Sequence, residues 1–220
     1  MADERTGSGT IKAVVFDYGE VLTGPPEHVA HDQMVRLTGL PAEEFERYYW
    51  ADRHAYDEGK LSGMAFWEKF GRDAGLNFTP ERIAELNLLD AQHWTTSDPV
   101  MLAWHAELKR AGLKTGILSN MGDSVLENME REFKWIHDFD VLVWSYQLGL
   151  AKPDAAIYKA LLDRLGVPAS ETLFIDDRVV NVEAARRLGM KSVVFTTPAA
   201  LRQELQAAEW WDGLPFPAIG

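Results

Sequence analysis

The chain has 220 residues, of which 46% are hydrophobic and 25% are charged, as is ordinary for a globular protein. Its net charge of −12 disfavours nucleic acids and anionic membrane surfaces as partners, and the absence of cysteine excludes disulfides and thiolate catalysis. We expect a cytoplasmic protein, because the first ten residues are polar and no stretch reaches the ~18 apolar residues of a membrane span.

Five short apolar runs predict strands that are buried on both faces, as in a parallel sheet. In chain order they are residues 11–17, 113–120, 141–145, 172–177 and 191–195. Helical patterns lie between them, at residues 99–111, 124–132, 154–165 and 179–188. This alternation predicts an α/β fold with a Rossmann-like, doubly wound parallel sheet as its core.

Residues 25–95 break the alternation. This stretch has helical spacing, many aromatic residues and no convincing strand. One interpretation is a set of additional core helices, but the stretch is too long for an ordinary crossover between strands. We therefore predict an inserted, all-helical cap at residues 25–95, with residues 1–24 and 96–220 forming the core.

Polar side chains follow the predicted strands at the points where they end. In an open parallel sheet, ligands bind beyond the carboxyl ends of the strands, so these side chains should converge on one cleft. Carboxylates there suit Mg²⁺, a hydroxyl and an amide suit phosphate oxygens, and a lysine offsets the clustered negative charge. The candidates are Asp17, Ser119, Asn120, Lys152, Asp176 and Asp177.

Each candidate alone has an ordinary structural explanation. A single aspartate at a strand end usually caps a helix, and Ser-Asn and Lys-Pro are common in loops. Response-regulator receiver domains combine similar residues, but their acidic pair comes first in the chain. Here the pair Asp176 and Asp177 comes last, and the single Asp17 comes first. The order and register of the whole set therefore favour a phosphate-handling enzyme.

The ordered motifs resemble those of the haloacid dehalogenase-like superfamily, subfamily I with a helical C1 cap. The likeness extends from about residue 11 to residue 206, and it is greatest to bacterial glucose-1-phosphate phosphatases and the phosphatase domain of soluble epoxide hydrolases. The matching motifs are Phe16-Asp17-Tyr18-Gly19-Glu20-Val21-Leu22, Ile117-Leu118-Ser119-Asn120, Lys152-Pro153, and Phe174-Ile175-Asp176-Asp177 followed by Asn181.

The resemblance implies a role for each site residue in a Mg²⁺-dependent phosphomonoesterase. Asp17 would attack phosphorus to form an aspartyl-phosphate, and Lys152 would stabilise nucleophile and phosphate. Mg²⁺ would be bound by Asp17, the Gly19 carbonyl and Asp177, and Asp176 would be an auxiliary ligand. Ser119 and Asn120 would bind the phosphoryl group. Asn181 would orient the loop that follows the acidic pair. The implied substrate is a small phosphorylated metabolite, with sugar phosphates as one candidate class.

One position departs from the family pattern. Most phosphatases of this type carry a second aspartate two residues after the nucleophile, which acts as general acid and base, but here that residue is Gly19. One interpretation is a phosphatase with an undemanding leaving group or a substitute acid such as Glu20. A second is a 2-haloacid dehalogenase that uses Asp17 without metal, against which the Asp176-Asp177 pair argues. A third is a non-catalytic protein that binds phosphate esters or has a regulatory role.

Weaker signals concern substrate specificity and assembly. Trp50, Arg53 and His54 lie on one predicted helical stretch of the cap. We predict that Trp50 and Arg53 contact substrate. Packing of Trp50 within the cap and a surface position for Arg53 would explain these two residues equally well. The apolar run 210–217 is broken by proline, and it suits either a tail packed on the core or a dimer contact. The oligomeric expectation is a monomer or a homodimer.

Overall fold

The computed structural model describes residues 10–25, 28–208 and 215–218. Its centre is a five-stranded sheet with the order β3-β2-β1-β4-β5, in which every neighbouring pair is parallel. All five predicted strands are present, with ends shifted by at most two residues. They are β1 (Ala13–Phe16), β2 (Lys114–Ser119), β3 (Val141–Trp144), β4 (Thr172–Asp176) and β5 (Lys191–Val194).

Eleven α-helices accompany the sheet in the described part of the chain. They are α1 (His28–Thr38), α2 (Ala42–Ala51), α3 (Arg53–Asp57), α4 (Gly63–Asp73), α5 (Pro80–His93), α6 (Pro99–Arg110), α7 (Asp123–Glu132), α8 (Ser145–Leu148), α9 (Ala155–Leu165), α10 (Val179–Arg187) and α11 (Pro198–Ala207). The four helices predicted for the core correspond to α6, α7, α9 and α10. The short α8 and the final α11 have no counterpart among the predicted elements.

The sheet is buried on both faces because its residues alternate between two apolar clusters. In β1, Val14 and Phe16 pack with α6 and α11 on one face, while Ala13 and Val15 pack with α9 and α10 on the other. Strand β1 lies at the centre, with β2 on one side and β4 on the other. The winding direction reverses there, so the carboxyl ends of β1, β2 and β4 surround one crevice. The predicted α/β, Rossmann-like fold is confirmed.

Helices α1 to α5 lie between β1 and β2 in the chain, and we call them the helical insert (residues 28–93). They have an apolar cluster of their own, to which Phe45, Phe66 and Trp67 contribute. Its members are nearly all aromatic or long aliphatic side chains, which explains the aromatic content of this stretch. The division of the chain at residues 24 and 96 into cap and core stays a prediction.

The helical insert contacts the core closely through α3 and α4. A Cβ atom added at Gly122 would lie 2.1 Å from Cζ of Tyr56, so the Tyr56 ring occupies the space that any larger residue there would need. The Gly63 N–H donates to the Asp123 carboxylate over 2.8 Å. Ser145 accepts from the Met121 N–H at 2.8 Å and donates to the backbone carbonyl of Asp57. These contacts join α3 and α4 to the loop that follows β2.

The C-terminal run has one described part. Phe216 packs against the apolar cluster that contains α6 and α11, and the Trp104 indole N–H donates to the Pro215 carbonyl over 2.7 Å. Residues 209–214, which include both tryptophans of the predicted apolar run, lie outside the described residues. None of the described helices has the length and apolar content that a membrane crossing requires.

The contact between Gly122 and the Tyr56 ring provides a test of how the insert docks. Gly122→Ala should lower the free energy of unfolding by about 1–3 kcal/mol through overpacking, because Tyr56 is fully buried and stacked on Phe66 at 4.9 Å. The matched control is Gly24→Ala, where the nearest atom to the added Cβ is 3.6 Å away. Urea unfolding of both variants checks the prediction, and equal stability of the two would contradict the packing described here.

Candidate active site

Three strand ends and one loop bring the polar residues predicted from the sequence to a single crevice. Asp17 directly follows β1, Ser119 is the last residue of β2, and Asp176 is the last residue of β4. Lys152 reaches the same point from the loop between α8 and α9. The sheet therefore brings together residues that are separated by up to 159 positions, because parallel strands end at the same edge.

The amino group of Lys152 lies between two carboxylates. Its Nζ is 2.8 Å from Oδ2 of Asp17 and 2.6 Å from Oδ2 of Asp176, and all three side chains are buried. Burial alone would lower the pKa of Lys152, but the two carboxylates outweigh it and raise that pKa. Lys152 is thus held as a cation, as a buried group with two opposite charges should be.

Asp17 is held in a defined orientation. Its Oδ1 accepts the backbone N–H of Tyr18 at 2.7 Å, while Oδ2 faces Lys152. Burial raises the pKa of the Asp17 carboxyl to about 7; Lys152 opposes that shift, and Asp176 and Asp177 add to it. A further positive charge beside Asp17 would favour its ionised form.

Three carboxylates form a cluster of a kind that can hold a metal ion. One ligand oxygen from each of Asp17, Asp176 and Asp177 can be chosen so that all lie within 4.8 Å of one another. Burial raises the pKa of Asp177 to about 6, with Asp176 and Glu20 adding to the shift. Such mutual repulsion between oxygen donors is typical of sites that bind a hard divalent cation.

Asn181 orients the Asp176 carboxylate. Its Nδ2 lies 2.9 Å from Oδ1 and 3.1 Å from Oδ2 of Asp176, and the Arg178 N–H donates to Oδ1 at 2.9 Å. The Asn181 Oδ1 atom is buried and lacks a hydrogen-bond partner among the described residues, although Asn181 lines the cavity. A buried acceptor of this kind is rarely left unpaired, so a bound water or ligand donor is expected beside it.

Ser119 and Asn120 have different environments. Ser119 is buried and lines the crevice. The Asn120 side chain is committed to the backbone of Lys152, since Nδ2 donates to the Lys152 carbonyl at 2.9 Å and Oδ1 accepts its N–H at 2.8 Å. The amide of Asn120 therefore fixes the loop that carries Lys152.

The crevice opens into a cavity of about 630 Å³ between the core and the helical insert. Four insert residues line it, namely Trp50, Arg53, His54 and Asp57. The predicted cap residues Trp50 and Arg53 thus lie at the cavity, and their contact with substrate stays a prediction. A cavity of this volume suits a small molecule.

Arg53 has more partners than the sequence suggested. It is 7% exposed, and its Nε pairs with Asp57 at 3.0 Å while Nη1 pairs with Asp90 at 2.9 Å. Nη1 also donates to the Tyr49 hydroxyl, which itself donates to Asp90 at 2.5 Å. Burial opposes the charge on Arg53, but Asp57 and Asp90 outweigh it and raise its pKa.

The neighbourhood of Gly19 has space for a small side chain. A Cβ atom there would lie 3.6 Å from the Trp94 ring, an ordinary van der Waals distance. Glu20 is exposed and has a φ of 57°, in the left-handed region that few residues other than glycine adopt. It lines the cavity as well, and its role as a substitute acid stays a prediction.

Several cavity residues lie outside the set predicted from the sequence. Asp57 could have been found from spacing, because it follows Arg53 by four residues and these positions share a face of one helix. Arg178, which follows the acidic pair, also lines the cavity. Trp94, which lines the cavity, and Asp90, the buried partner of Arg53, carry no sequence signal, since their positions depend on how the insert folds.

Comparison with curated proteins identifies phosphatases among the relatives. The chain is 33% identical over 189 residues to Phosphatase MT3486 of Mycobacterium tuberculosis, covering 83% of this chain and 86% of that protein. It is 28% identical over 208 residues to D-ribitol-5-phosphate phosphatase of Bacteroides thetaiotaomicron, covering 89% and 97%. It also matches Bifunctional epoxide hydrolase 2 of Rattus norvegicus at 35% over 123 residues, which is 53% of this chain and 21% of that much longer protein.

Solved structures share the fold. A haloacid dehalogenase family enzyme of Bacteroides thetaiotaomicron, crystallised with magnesium and inorganic phosphate, superposes with a TM-score of 0.72 at 20% identity, covering 84% of this chain and 94% of that one. The L-2-haloacid dehalogenase of Xanthobacter autotrophicus superposes with a TM-score of 0.66 at 22% identity, covering 91% and 84%. At these identities the likeness establishes the fold alone.

The family model for haloacid dehalogenase-like hydrolases matches residues 11–189, which include all the motif residues of the crevice. The subfamily and the cap class stay predictions. With a match over most of its length and a relative at 33% identity, this chain belongs to the haloacid dehalogenase-like hydrolase family.

Proposed function

We propose that this protein is a Mg²⁺-dependent phosphomonoesterase that hydrolyses a small phosphorylated metabolite through an aspartyl-phosphate on Asp17. The observation that carries the proposal is the pairing of Asp17 with Lys152 at 2.8 Å, beside a cluster of three carboxylates. A nucleophilic carboxylate, a fixed cation and a metal-binding group are the elements that phosphoryl transfer requires. The phosphatases among its relatives support the same reaction class.

In the first step an Asp17 carboxylate oxygen attacks phosphorus, and the bond between phosphorus and the ester oxygen breaks. The alcohol leaves and takes up a proton, while the phosphoryl group remains on Asp17. In the second step water attacks that phosphorus, which releases inorganic phosphate and restores the Asp17 carboxylate. Lys152 faces Asp17 throughout and balances the negative charge of the transferring group.

The residues present fit Mg²⁺. Asp17 and Asp177 would be ligands together with the Gly19 carbonyl, and Asp176 would be auxiliary because its oxygens already accept from Lys152, Asn181 and the Arg178 N–H. The unpartnered Oδ1 of Asn181 suits a water molecule bound near the ion. When bound, Mg²⁺ supplies charge neutralisation for the phosphoryl oxygens and for the crowded carboxylates.

The phosphoryl group would be bound at the end of β2. The Ser119 hydroxyl is available to donate to a phosphoryl oxygen. Asn120 would contribute its backbone N–H, because its side chain holds the Lys152 loop. Asn181 would keep the Asp176 carboxylate oriented toward Lys152. The helical insert would act as a cap over the cavity and exclude water from it.

Two alternatives remain distinct from this proposal. A 2-haloacid dehalogenase would use Asp17 but would have no use for a metal, and the cluster formed with Asp176 and Asp177 argues against it. A non-catalytic, phosphate-binding or regulatory protein would not need an oriented nucleophile paired with a buried lysine. Metal-independent halide release from chloroacetate would favour the first alternative.

Hydrolysis of p-nitrophenyl phosphate tests the nucleophile and the metal together. We expect Mg²⁺-dependent activity that EDTA abolishes, and a loss of at least about 10³-fold in Asp17→Asn, because an amide cannot form the aspartyl-phosphate. Asp73→Asn is the matched control, since it removes an exposed carboxylate of α4 that pairs with Lys69. Activity that survives EDTA or Asp17→Asn would contradict the mechanism.

The missing acid at Gly19 predicts a strong dependence on the leaving group. Wild-type protein should hydrolyse p-nitrophenyl phosphate much faster than a simple alkyl phosphate, whose alkoxide must be protonated. Gly19→Asp should raise alkyl phosphate hydrolysis by up to about 10²-fold relative to p-nitrophenyl phosphate, because a side chain fits there and an aspartic acid can supply the proton.

The control for this experiment is Gly19→Asn, which matches the aspartate in size but has no acidic proton. Steady-state kcat values on both substrates give the comparison. If Gly19→Asp and Gly19→Asn behave alike, a residue other than the one at position 19 protonates the leaving group.

A further inference from the structure

The cavity wall opposite the catalytic carboxylates is one face of α2 and α3. Trp50 lies near the end of α2, Arg53, His54 and Asp57 lie on α3, and all four side chains line the cavity. We call these four residues the cap stripe. Because Asp17 and Lys152 line the same cavity from the core, the cap stripe would face the part of a substrate that leaves with the ester oxygen.

The arginine does not make the cap stripe net positive. Arg53 is held by two carboxylates, Asp57 at 3.0 Å and Asp90 at 2.9 Å, and Asp90 is completely buried. Counted as ionised groups, one guanidinium and two carboxylates give this group a net negative charge. Burial raises the pKa of Asp57, and the charge of Arg53 opposes that shift and favours the ionised carboxylate. Removing Arg53 from these partners to bind a substrate anion would leave the Asp90 charge buried and unpaired, which is costly.

Trp50 presents an apolar surface beside this group. Its side chain is 54% exposed, and its indole N–H is engaged with Glu46 at 2.8 Å. The ring face therefore remains for the substrate, together with the Asp57 carboxylate and the exposed His54 imidazole. An indole face packs against C–H groups, and a carboxylate accepts hydrogen bonds from hydroxyls.

We propose that the Arg53–Asp57–Asp90 group makes the cap stripe select an uncharged, hydroxyl-bearing leaving group and reject one that carries a second anion. This rests on the proposed function and adds the substrate class to it. Carboxylate- and bisphosphate-bearing esters would place their second anion against a net negative wall, whereas the hydroxyls of a polyol would donate to Asp57 and its carbon chain would cover Trp50.

Arg178 also lines the cavity, but it belongs to the opposite wall. Its backbone belongs to the core, because its N–H donates to the Asp176 carboxylate at 2.9 Å, at the end where the phosphoryl group would bind. Its charge would add to that of Lys152 at the phosphate. Apart from the His54 imidazole, Arg53 is the basic side chain of the cap stripe.

Matched pairs of ligands test the proposal. One pair is a pentitol 5-phosphate and the corresponding pentonate 5-phosphate, and the other is glycerol 3-phosphate and 3-phosphoglycerate. In each pair the acid has a carboxylate where the polyol phosphate has a terminal CH₂OH group. We would measure their dissociation constants by calorimetry with Mg²⁺ on the Asp17→Asn protein, so that binding is determined without turnover. The polyol phosphate of each pair should bind at least about tenfold more tightly than its acid.

Two charge variants distinguish a local effect from the overall negative charge of the protein. Asp57→Asn keeps an oxygen that can accept from Arg53 but removes one negative charge from the cap stripe, so the preference for the polyol should fall about tenfold. Asp73→Asn removes the same charge from α4, outside the cavity, and should leave the preference unchanged. If Asp57→Asn does not fold, a polyol preference well below tenfold in the protein that retains Asp57 still overturns the proposal.

Equal or tighter binding of the acids, binding of neither class, or equal effects of Asp57→Asn and Asp73→Asn would overturn the proposal. These outcomes are separable from a failure of the proposed function. That function fails if the wild-type protein shows no Asp17-dependent hydrolysis of p-nitrophenyl phosphate, whichever ligands bind to the cavity.

Discussion

The contact on which the site depends is the buried ammonium group of Lys152 between Asp17 and Asp176. Three carboxylates meet at the carboxyl edge of the sheet, and burial would make their mutual repulsion severe without a cation. The surrounding structure serves to keep Lys152 there. Asn120 fixes its backbone from β2, and Asn181 holds Asp176 from α10. Removal of Lys152 would leave buried charges uncompensated and would also remove a group that we propose to be catalytic.

A second constraint joins the helical insert to this centre. Ser145 accepts from the Met121 N–H, just beyond Ser119 and Asn120, and donates to the Asp57 carbonyl at the end of α3. Asp57, one of the four insert residues that line the cavity, is thus tied to the loop that would bind phosphate. Because Gly122 leaves space for Tyr56, the insert can approach this loop closely. The proposed substrate recognition by the insert and the proposed phosphate binding by the core would thereby be physically coupled.

The convergence of the candidate residues can be predicted from the sequence, because their positions depend on the sheet. Each of Asp17, Ser119 and Asp176 lies at a strand end, and parallel strands must end at one edge, so spacing alone brings them together. The environment of Arg53 is different, since its partner Asp90 is 37 residues away on another helix. No local sequence pattern predicts that pairing. Because of it, the positive charge of Arg53 is neutralised by carboxylates of the protein instead of being available to a substrate anion. The commitment of the Asn120 side chain to Lys152 is likewise visible only once the loops are placed.

Acid-quenched mass spectrometry of the wild-type protein during turnover tests the central role of Asp17 most directly. With p-nitrophenyl phosphate and Mg²⁺, we predict one phosphoryl group on the peptide that contains Asp17. It should accumulate, because the leaving group needs no acid whereas Gly19 provides no base for the second step. Turnover without a phosphoryl group on Asp17, or with one on another residue, would contradict the proposed mechanism.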